Sequence, residues 1–74
     1  MVQKKLGRLQ IVGKKIATLR HEKNMSQDEL AAEALISNRT LQKLELGQTN
    51  PRFSTFEKIA DYLEIDIKVL FEDL

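Results

Sequence analysis

The sequence predicts an all-α fold, and three of its features lead to that prediction. Apolar residues recur at intervals of three, four and seven in several segments, which is the spacing of a helix face. No segment of any length shows the alternation of apolar and polar residues that is typical of strands. Capping residues and the single Pro divide the chain into five short helices. We therefore expect one five-helix domain over residues 1–74, near the lower size limit for a lone hydrophobic core.

The first helix is predicted over roughly Gln10 to Lys23. Its inward face is formed by Val12, Ile16 and Leu19. Residues 1–9 form a basic lead-in, in which Gly7 weakens any helix. A frayed segment and an additional helical turn both remain open for this lead-in. Asn24 fits the end of the helix, because Asn tolerates a positive φ better than other non-Gly residues.

Two further short helices, joined by a tight turn, are predicted between Ser26 and Gly47. Ser26 and Glu29 have the spacing of a capping box, which begins the second helix of the chain. Ser37 is a candidate N-cap for the third helix, and Gly47 can adopt the left-handed conformation that ends it. The inner faces are expected to consist of Leu30, Ala31 and Ala34 on helix 2, and of Leu41, Leu44 and Leu46 on helix 3.

The outer face of the third helix carries a stripe of long polar side chains without an acidic residue. It consists of Asn38, Arg39, Gln42 and Lys43, which share one side of a helix of 3.6 residues per turn. Such side chains can reach base edges in the major groove of DNA, and the amides at a helix N-terminus favour phosphate. A solvated helix face is the more common meaning of a polar stripe, so the stripe alone does not decide between the two.

The last third of the chain predicts two more helices. Helix 4 is expected to begin at a second capping box, Ser54 to Glu57, with an inward face of Phe56, Ile59, Ala60 and Leu63. Asp66 is expected to cap a last short helix that runs through Leu74. Ile67 and Val69 are left over from the core and are candidates for a self-association surface. Partial burial without such a role is the alternative.

Charge is distributed unevenly along the chain. Residues 1–52 contain ten Lys or Arg against five Asp or Glu, whereas residues 53–74 contain two against six. A basic front and an acidic rear are suited to a protein that presents one side to a polyanion.

Composition argues against several other classes of protein. The absence of Cys excludes a disulfide framework and a thiolate metal site, and His21 has no second His with which to share a metal. No apolar run is long enough to span a membrane, and no signal-peptide core follows the first residues. No arrangement of nucleophile and base suggests an enzyme. We expect a cytoplasmic protein without a cofactor, a metal or a small-molecule ligand.

Several motifs in register resemble the Xre-type helix-turn-helix family of phage repressors and bacterial regulators. They are Val12-Gly13-(x2)-Ile16-(x2)-Leu19-Arg20, Ser26-Gln27-(x2)-Leu30-Ala31, and Leu41-(x2)-Leu44-Glu45-(x1)-Gly47 followed by Pro51 and Phe56-(x2)-Ile59-Ala60-(x2)-Leu63. No single motif is specific. The whole series, from about Val12 to Phe71, outweighs the interpretation of the stripe as plain surface. It implies a phage-repressor-like fold in which helices 2 and 3 form a helix-turn-helix over residues 26–47.

The resemblance also implies roles for individual residues. Contacts with bases are expected from Asn38, Arg39, Thr40, Gln42 and Lys43, with Arg39 suited to guanine and Asn38 to adenine. Contacts with the DNA backbone are expected from Gln27, Ser37, Gln48, Thr49, Asn50 and Arg52. In relatives, the positions of Arg20 and Glu45 form an ion pair that ties helix 1 to the end of helix 3. A structural role is therefore expected for these two residues.

The sequence departs from the family pattern at three positions. Leu35 stands where the turn between helices 2 and 3 usually has Gly, so either Leu35 has a positive φ or the turn has a different shape. The same two alternatives apply to Glu64, after helix 4. Leu46 replaces a polar residue before Gly47, which removes a possible contact with the DNA backbone.

The function that the resemblance implies is sequence-specific regulation of transcription. We expect a homodimer on an inverted repeat, with autoregulation as in phage repressors and in the controller proteins of restriction–modification systems. The alternative is a protein-interaction module of the same fold, such as an antitoxin or the partner of an antirepressor. That alternative predicts weak binding to DNA without regard to sequence.

Overall fold

The computed structural model describes residues 7–74, which form four α-helices and a terminal 3-10 helix. The α-helices are α1 (Arg8–Glu22), α2 (Gln27–Glu33), α3 (Asn38–Glu45) and α4 (Phe53–Leu63), and the 3-10 helix covers Ile67–Phe71. The all-α prediction is confirmed over this range. Within it, no helix is long and apolar enough to cross a membrane. The structure of the first six residues of the predicted lead-in lies outside the described part.

A single core joins all five elements. Its buried apolar residues are Val12, Ile16, Leu30, Ala31, Ala34, Leu41, Leu44, Phe56, Ile59, Ala60, Leu63 and Leu70. Phe71 packs against Phe56 edge to face, with ring centroids 5.3 Å apart, and so attaches the terminal 3-10 helix to α4. The core follows the predicted faces, because burial of apolar surface is the main favourable term in folding.

All four α-helices end with the same left-handed motif. The residue with positive φ is Asn24 (55°), Leu35 (60°), Gly47 (73°) or Glu64 (59°). In each case the next residue donates its N–H back to the last turn, as Ile36 does to the Ala31 carbonyl oxygen at 3.0 Å. The expectations for Asn24 and Gly47 are confirmed. At Leu35 and Glu64 the sequence left open either a positive φ or a turn of different shape, and both residues have a positive φ.

The predicted caps of α2, α3 and the terminal 3-10 helix are present, whereas that of α4 is wrong. Ser26 and Glu29 form the capping box of α2, with reciprocal hydrogen bonds of 3.0 and 2.8 Å. Asp66 accepts from the amide of Lys68 at 3.0 Å. Helix α4 instead begins one residue before Ser54, with Arg52 in the N-cap position and no side-chain cap. Ser54 therefore already has helical geometry.

Three other predictions need correction. Helix α1 begins at Arg8 rather than near Gln10, because the Gln10 side chain accepts from the Gly7 amide at 2.8 Å and organises the first turn. The last element is a 3-10 helix that ends at Phe71, not an α-helix through Leu74. Leu46 is not part of the inner face of α3, since it follows the helix and is 60% exposed.

Helices α1 and α3 approach each other closely at Gly13. A Cβ atom at this buried position would lie 2.3 Å from the Leu44 carbonyl oxygen and 2.7 Å from that of Glu45. Both atoms belong to the backbone, so neither can move aside cheaply. Gly13 therefore sets the distance between the two helices and the position of the end of α3.

Candidate nucleic-acid interface

Helix α3 is held by one face and presents the other to solvent. Leu41 and Leu44 are buried beneath it, and the Ser37 hydroxyl caps its first turn by accepting from the Thr40 amide at 3.0 Å. The Ser37 hydroxyl also donates to the Thr40 hydroxyl at 2.8 Å. These contacts fix the rotation of α3 about its own axis, and therefore which residues face outward.

The predicted stripe lies on the outward face of α3. Arg39, Gln42 and Lys43 are exposed, whereas Asn38 and Thr40 are half-buried. Within residues 7–74, neither Arg39 nor Lys43 forms a salt bridge. Their charges are therefore available to an external partner. Two cations and an exposed amide on one helix face can bind phosphate and can donate to acceptor atoms on base edges.

Asn38 differs from the other residues of the stripe, because its amide is engaged on both sides. Its nitrogen donates to the Asp28 carboxylate of α2, and its oxygen accepts from the Gln42 amide nitrogen at 2.5 Å. A chain of hydrogen bonds therefore runs from α2 across the first turn of α3. Asp28 was not among the residues that the sequence singled out. An acidic residue in the first turn of a helix is usual, so its position alone gave no signal.

Arg20 and Glu45 form a buried ion pair between α1 and α3. Arg20 Nε donates to Glu45 Oε2 at 2.7 Å and Nη2 donates to Oε1 at 3.2 Å, with side chains that are 8% and 7% exposed. Arg20 Nη1 also donates to the Met25 carbonyl oxygen at 2.9 Å. Removing one partner of such a pair costs about 3–5 kcal/mol, because the other charge stays buried. This is the pairing that the family resemblance implies.

Gln27 connects the ion pair to α2. Its amide nitrogen donates to Glu45 Oε1 at 2.9 Å, so the carboxylate joins α1, α2 and α3 at one point. Gln27 is half-buried, and one of its donors is used inside the protein. It buttresses the end of α3 from the start of α2, at a position where the resemblance predicts a contact with the DNA backbone.

The segment after α3 places further polar residues beside its end. Gln48, Asn50 and Arg52 are exposed and Thr49 is half-buried. The Gln48 amide donates to the Lys43 carbonyl oxygen at 2.8 Å, which ties the start of the segment to α3. A Cβ atom on Gly47 would lie 2.5 Å from Gln10 Cα, so only Gly lets the chain pass this close to α1. The structure thus brings the predicted backbone-contacting loop next to the stripe.

Two titratable groups with shifted pKa values lie outside the stripe. A hydrogen bond to Glu33, together with that residue's charge, raises the pKa of Tyr62, and a hydrogen bond from Lys23 lowers the pKa of Glu64. Both groups link helices rather than face the stripe. Among the described residues, no group of three or more His, Cys, Asp or Glu is placed to hold a metal ion.

A family comparison covers most of this arrangement. A helix-turn-helix model, HTH_3, matches residues 16–70, which include the ion pair, the stripe and all but the last residue of the terminal 3-10 helix. The chain belongs to the Xre-type helix-turn-helix family. The matched range contains Arg20 and Glu45, the ion pair that joins α1 to α3.

Relatives within the Xre-type family include regulators of several kinds. The immunity repressor of Bacillus phage phi105 is 34% identical over 59 residues, which are 80% of this chain and 41% of the repressor. The restriction–modification controller protein C.AhdI from Aeromonas hydrophila has a TM-score of 0.82 at 30% identity, over 85% of this chain and 96% of that one. The biofilm regulator SinR in complex with DNA has a TM-score of 0.75 at 32% identity, over 82% of this chain and 98% of that one.

Proposed function

We propose that this protein is a sequence-specific regulator of transcription that binds double-stranded DNA. In this proposal α2 and α3 form the helix-turn-helix, and α3 enters the major groove as the recognition helix. The observation that carries the proposal is the exposed stripe on α3, fixed outward by Leu41 and Leu44 and free of salt bridges within the described residues. The relatives that bear the names of repressors and regulators support it.

In this proposal, one set of residues contacts the DNA bases and another contacts the DNA backbone. Base edges are contacted by Asn38, Arg39, Thr40, Gln42 and Lys43. The DNA backbone is contacted by Gln27, Ser37, Gln48, Thr49, Asn50 and Arg52. Phosphate contacts supply affinity that depends on salt, whereas base contacts supply discrimination between sequences. Arg39 is suited to guanine because its guanidinium can donate to both O6 and N7.

We further propose that the protein acts as a homodimer on an inverted repeat, with autoregulation of its own gene. One recognition helix touches few base pairs, so two-fold symmetry is needed for selectivity and places half-sites roughly 34 Å apart. Ile67 and Val69, both half-buried on the terminal 3-10 helix, are the proposed interface. Autoregulation is the expectation that the family resemblance carries, and the likeness to C.AhdI, a restriction–modification controller protein, is consistent with it.

A protein-interaction module is the second candidate function. Leu35 and Leu46 flank α3 and are 78% and 60% exposed, which gives the surrounding surface apolar character that a protein partner could cover. This candidate predicts weak binding to DNA that is independent of sequence. The polar stripe between these two residues favours the regulator.

Selection of bound sites from random DNA, followed by binding measurements across a salt series, separates the two candidates. The regulator should show a steep salt dependence and a preference for its site of about a thousandfold or more. The selected sites should be inverted repeats. A shallow preference spread over unrelated sequences would instead support the interaction module.

Replacement of Arg39 tests the central base contact. Arg39→Ala should lose the preference for one base pair in each half-site, a change of about 1–3 kcal/mol, while fold and thermal stability stay the same. Lys14→Ala is the control, because it removes one exposed cation from α1 rather than from the stripe. Competition titrations against each single-base variant of the selected site measure the effect. Unchanged discrimination at every base pair in the Arg39 variant would remove Arg39 from the interface.

A further inference from the structure

Asp28 is the starting point of an inference that rests on the proposed function and adds a residue to it. We infer that Asp28 is a positioning residue for DNA recognition. Through Asn38, it holds the Gln42 amide in the orientation that selects adenine. Asp28 itself belongs to α2 and reads no base in this scheme. The argument depends on the order of donors and acceptors along the chain of hydrogen bonds.

The first link fixes Asn38. An ionised carboxylate can only accept, so the side of the Asn38 amide that faces Asp28 must be its nitrogen. The Asn38 oxygen consequently faces the other way, toward Gln42. Without Asp28, the two ends of the Asn38 amide would be nearly equivalent in shape, and either orientation could form.

The second link fixes Gln42. Since the Asn38 oxygen can only accept, the Gln42 side chain must turn its nitrogen toward it, and the two atoms lie 2.5 Å apart. The exposed Gln42 amide then keeps its oxygen and one N–H free. An oxygen that accepts from N6 and an N–H that donates to N7 are the pair that recognises adenine.

Asn38 is correspondingly less suited to reading a base itself. One of its N–H groups and one lone pair of its oxygen are already engaged and its side chain is half-buried, so it is less available than the exposed Gln42 for a bidentate contact with adenine. The adenine contact that the sequence suggested for Asn38 is therefore transferred to Gln42. In this arrangement Asp28 favours recognition because it orients the amides of Asn38 and Gln42, although its negative charge is repelled by the DNA phosphates.

The test compares Asp28→Ala, Gln42→Ala and the double variant on the selected site and on its single-base variants. Gln42→Ala should remove an adenine preference at one base pair of each half-site. Asp28→Ala should weaken the same preference by about tenfold, within the range expected for a bidentate contact, and leave other positions unchanged. The double variant should match Gln42→Ala at that base pair, because both changes act through one group. Glu33→Gln, which removes one negative charge elsewhere on α2, is the control.

Several outcomes would overturn the inference. One is an adenine preference that depends on Gln42 but not on Asp28. Another is a change of affinity in Asp28→Ala that is the same for every sequence, because it would reflect charge alone. A third is an additive effect of the two substitutions at different base pairs.

The DNA-free protein provides a readout that does not depend on the proposed function. The side-chain amide NMR signals of Asn38 and Gln42 should shift in Asp28→Ala and remain in place in Glu33→Gln. If the wild-type protein showed no sequence preference, the proposed function would fail while these signals still tested the hydrogen-bond chain. Signals that do not respond to Asp28→Ala would overturn the chain itself.

Discussion

At the scale of single residues, the left-handed ends of the helices are the most informative feature. Of the four residues with positive φ between residues 7 and 74, only one is Gly. The left-handed conformation costs an ordinary L-residue about 1–2 kcal/mol, and Asn somewhat less. Leu35 and Glu64 therefore carry strain that the surrounding packing compensates. Ile36, directly after Leu35, packs against the core, which fixes the path of the turn.

We predict that Leu35→Gly stabilises the protein. The substitution removes the strain of a positive φ and loses little burial, because the Leu35 side chain is 78% exposed. Greater freedom of Gly in the unfolded chain offsets about 0.5–1 kcal/mol of this gain. A net gain of up to about 1 kcal/mol would raise the thermal midpoint by roughly 4–8 °C. Thermal unfolding followed by circular dichroism measures it.

Leu46→Gly is the matched control for that prediction. Leu46 is also exposed, at 60%, but its φ is −89°, so Gly relieves no strain there. Leu46→Gly should therefore lower the thermal midpoint of unfolding. If both substitutions lowered it equally, Leu35 would not be strained.

The ion pair of Lys23 and Glu64 gives a prediction about pH. Lys23 Nζ donates to Glu64 Oε1 at 2.6 Å and lowers the pKa of Glu64. A lowered carboxyl pKa means that the pair's contribution is complete above the ordinary pKa of Glu, and is lost as pH falls through the lowered value. Lys23→Ala should raise the pKa of Glu64 back toward the ordinary value of a Glu carboxyl in an NMR titration of its carboxyl carbon. Lys15→Ala, which breaks a different pair with Asp73, should leave that pKa unchanged.

At the scale of elements, the contact between α1 and α3 decides how the stripe is presented. Gly13, in the first half of α1, contacts the end of α3. Arg20, in the last turn of α1, forms an ion pair with Glu45 at that same end of α3. Gln27 extends that connection to α2. The position of α3 is thus set by a backbone contact and a buried charge pair, in addition to its two buried leucines.

We predict that Gly13→Ala destabilises the protein although Ala is the better helix former. The added methyl group would lie 2.3 Å from a backbone oxygen of Leu44. Over-packing of this kind costs about 1–3 kcal/mol, and here it also displaces α3. Urea unfolding and operator titration should therefore both show a loss. Gly7→Ala adds a methyl group whose nearest neighbour is a side-chain oxygen at 3.7 Å, and it should have a smaller effect on both. Equal losses in the two variants would contradict the packing argument.

At the scale of the whole molecule, acidic residues of segment 53–74 neutralise some of the basic residues of segment 1–52. Lys15 pairs with Asp73 and Lys23 pairs with Glu64, so two lysines near α1 are paired with acidic residues of the last third of the chain. The cations of α3 are not paired in this way within the described residues. The charges of Arg39 and Lys43 are therefore available to attract a polyanion.

The proposed dimer gives a prediction at the same scale. Val69 is half-buried without belonging to the core. Ile67 packs against the core, so a substitution there would also change the stability of the fold. Val69→Asp should weaken self-association and, through it, operator binding, because a buried unpaired carboxylate is unfavourable. Sedimentation equilibrium measures the first effect and DNA titration the second. Lys68→Ala, on the neighbouring exposed residue, is the control. A variant that associates as strongly as the wild type would place the interface elsewhere.

The sequence by itself determined the helices, their inward faces and most of their caps. Those features depend on the periodicity of apolar residues and on local hydrogen bonds, which neighbouring residues define. The polar stripe on α3 followed from the same periodicity. The start of α4 was missed because an alternative N-cap, Arg52, lay two residues before Ser54.

Only the tertiary structure decided how these parts meet. The close approach at Gly13 and the engagement of Asn38 by Asp28 depend on contacts between different helices. The positive φ of Leu35 was one of two alternatives that the sequence left open. No spacing along the chain specifies which acceptor an amide will face. The sequence showed which side chains could point outward, and the packing of α2 against α3 determined which of their atoms remain free.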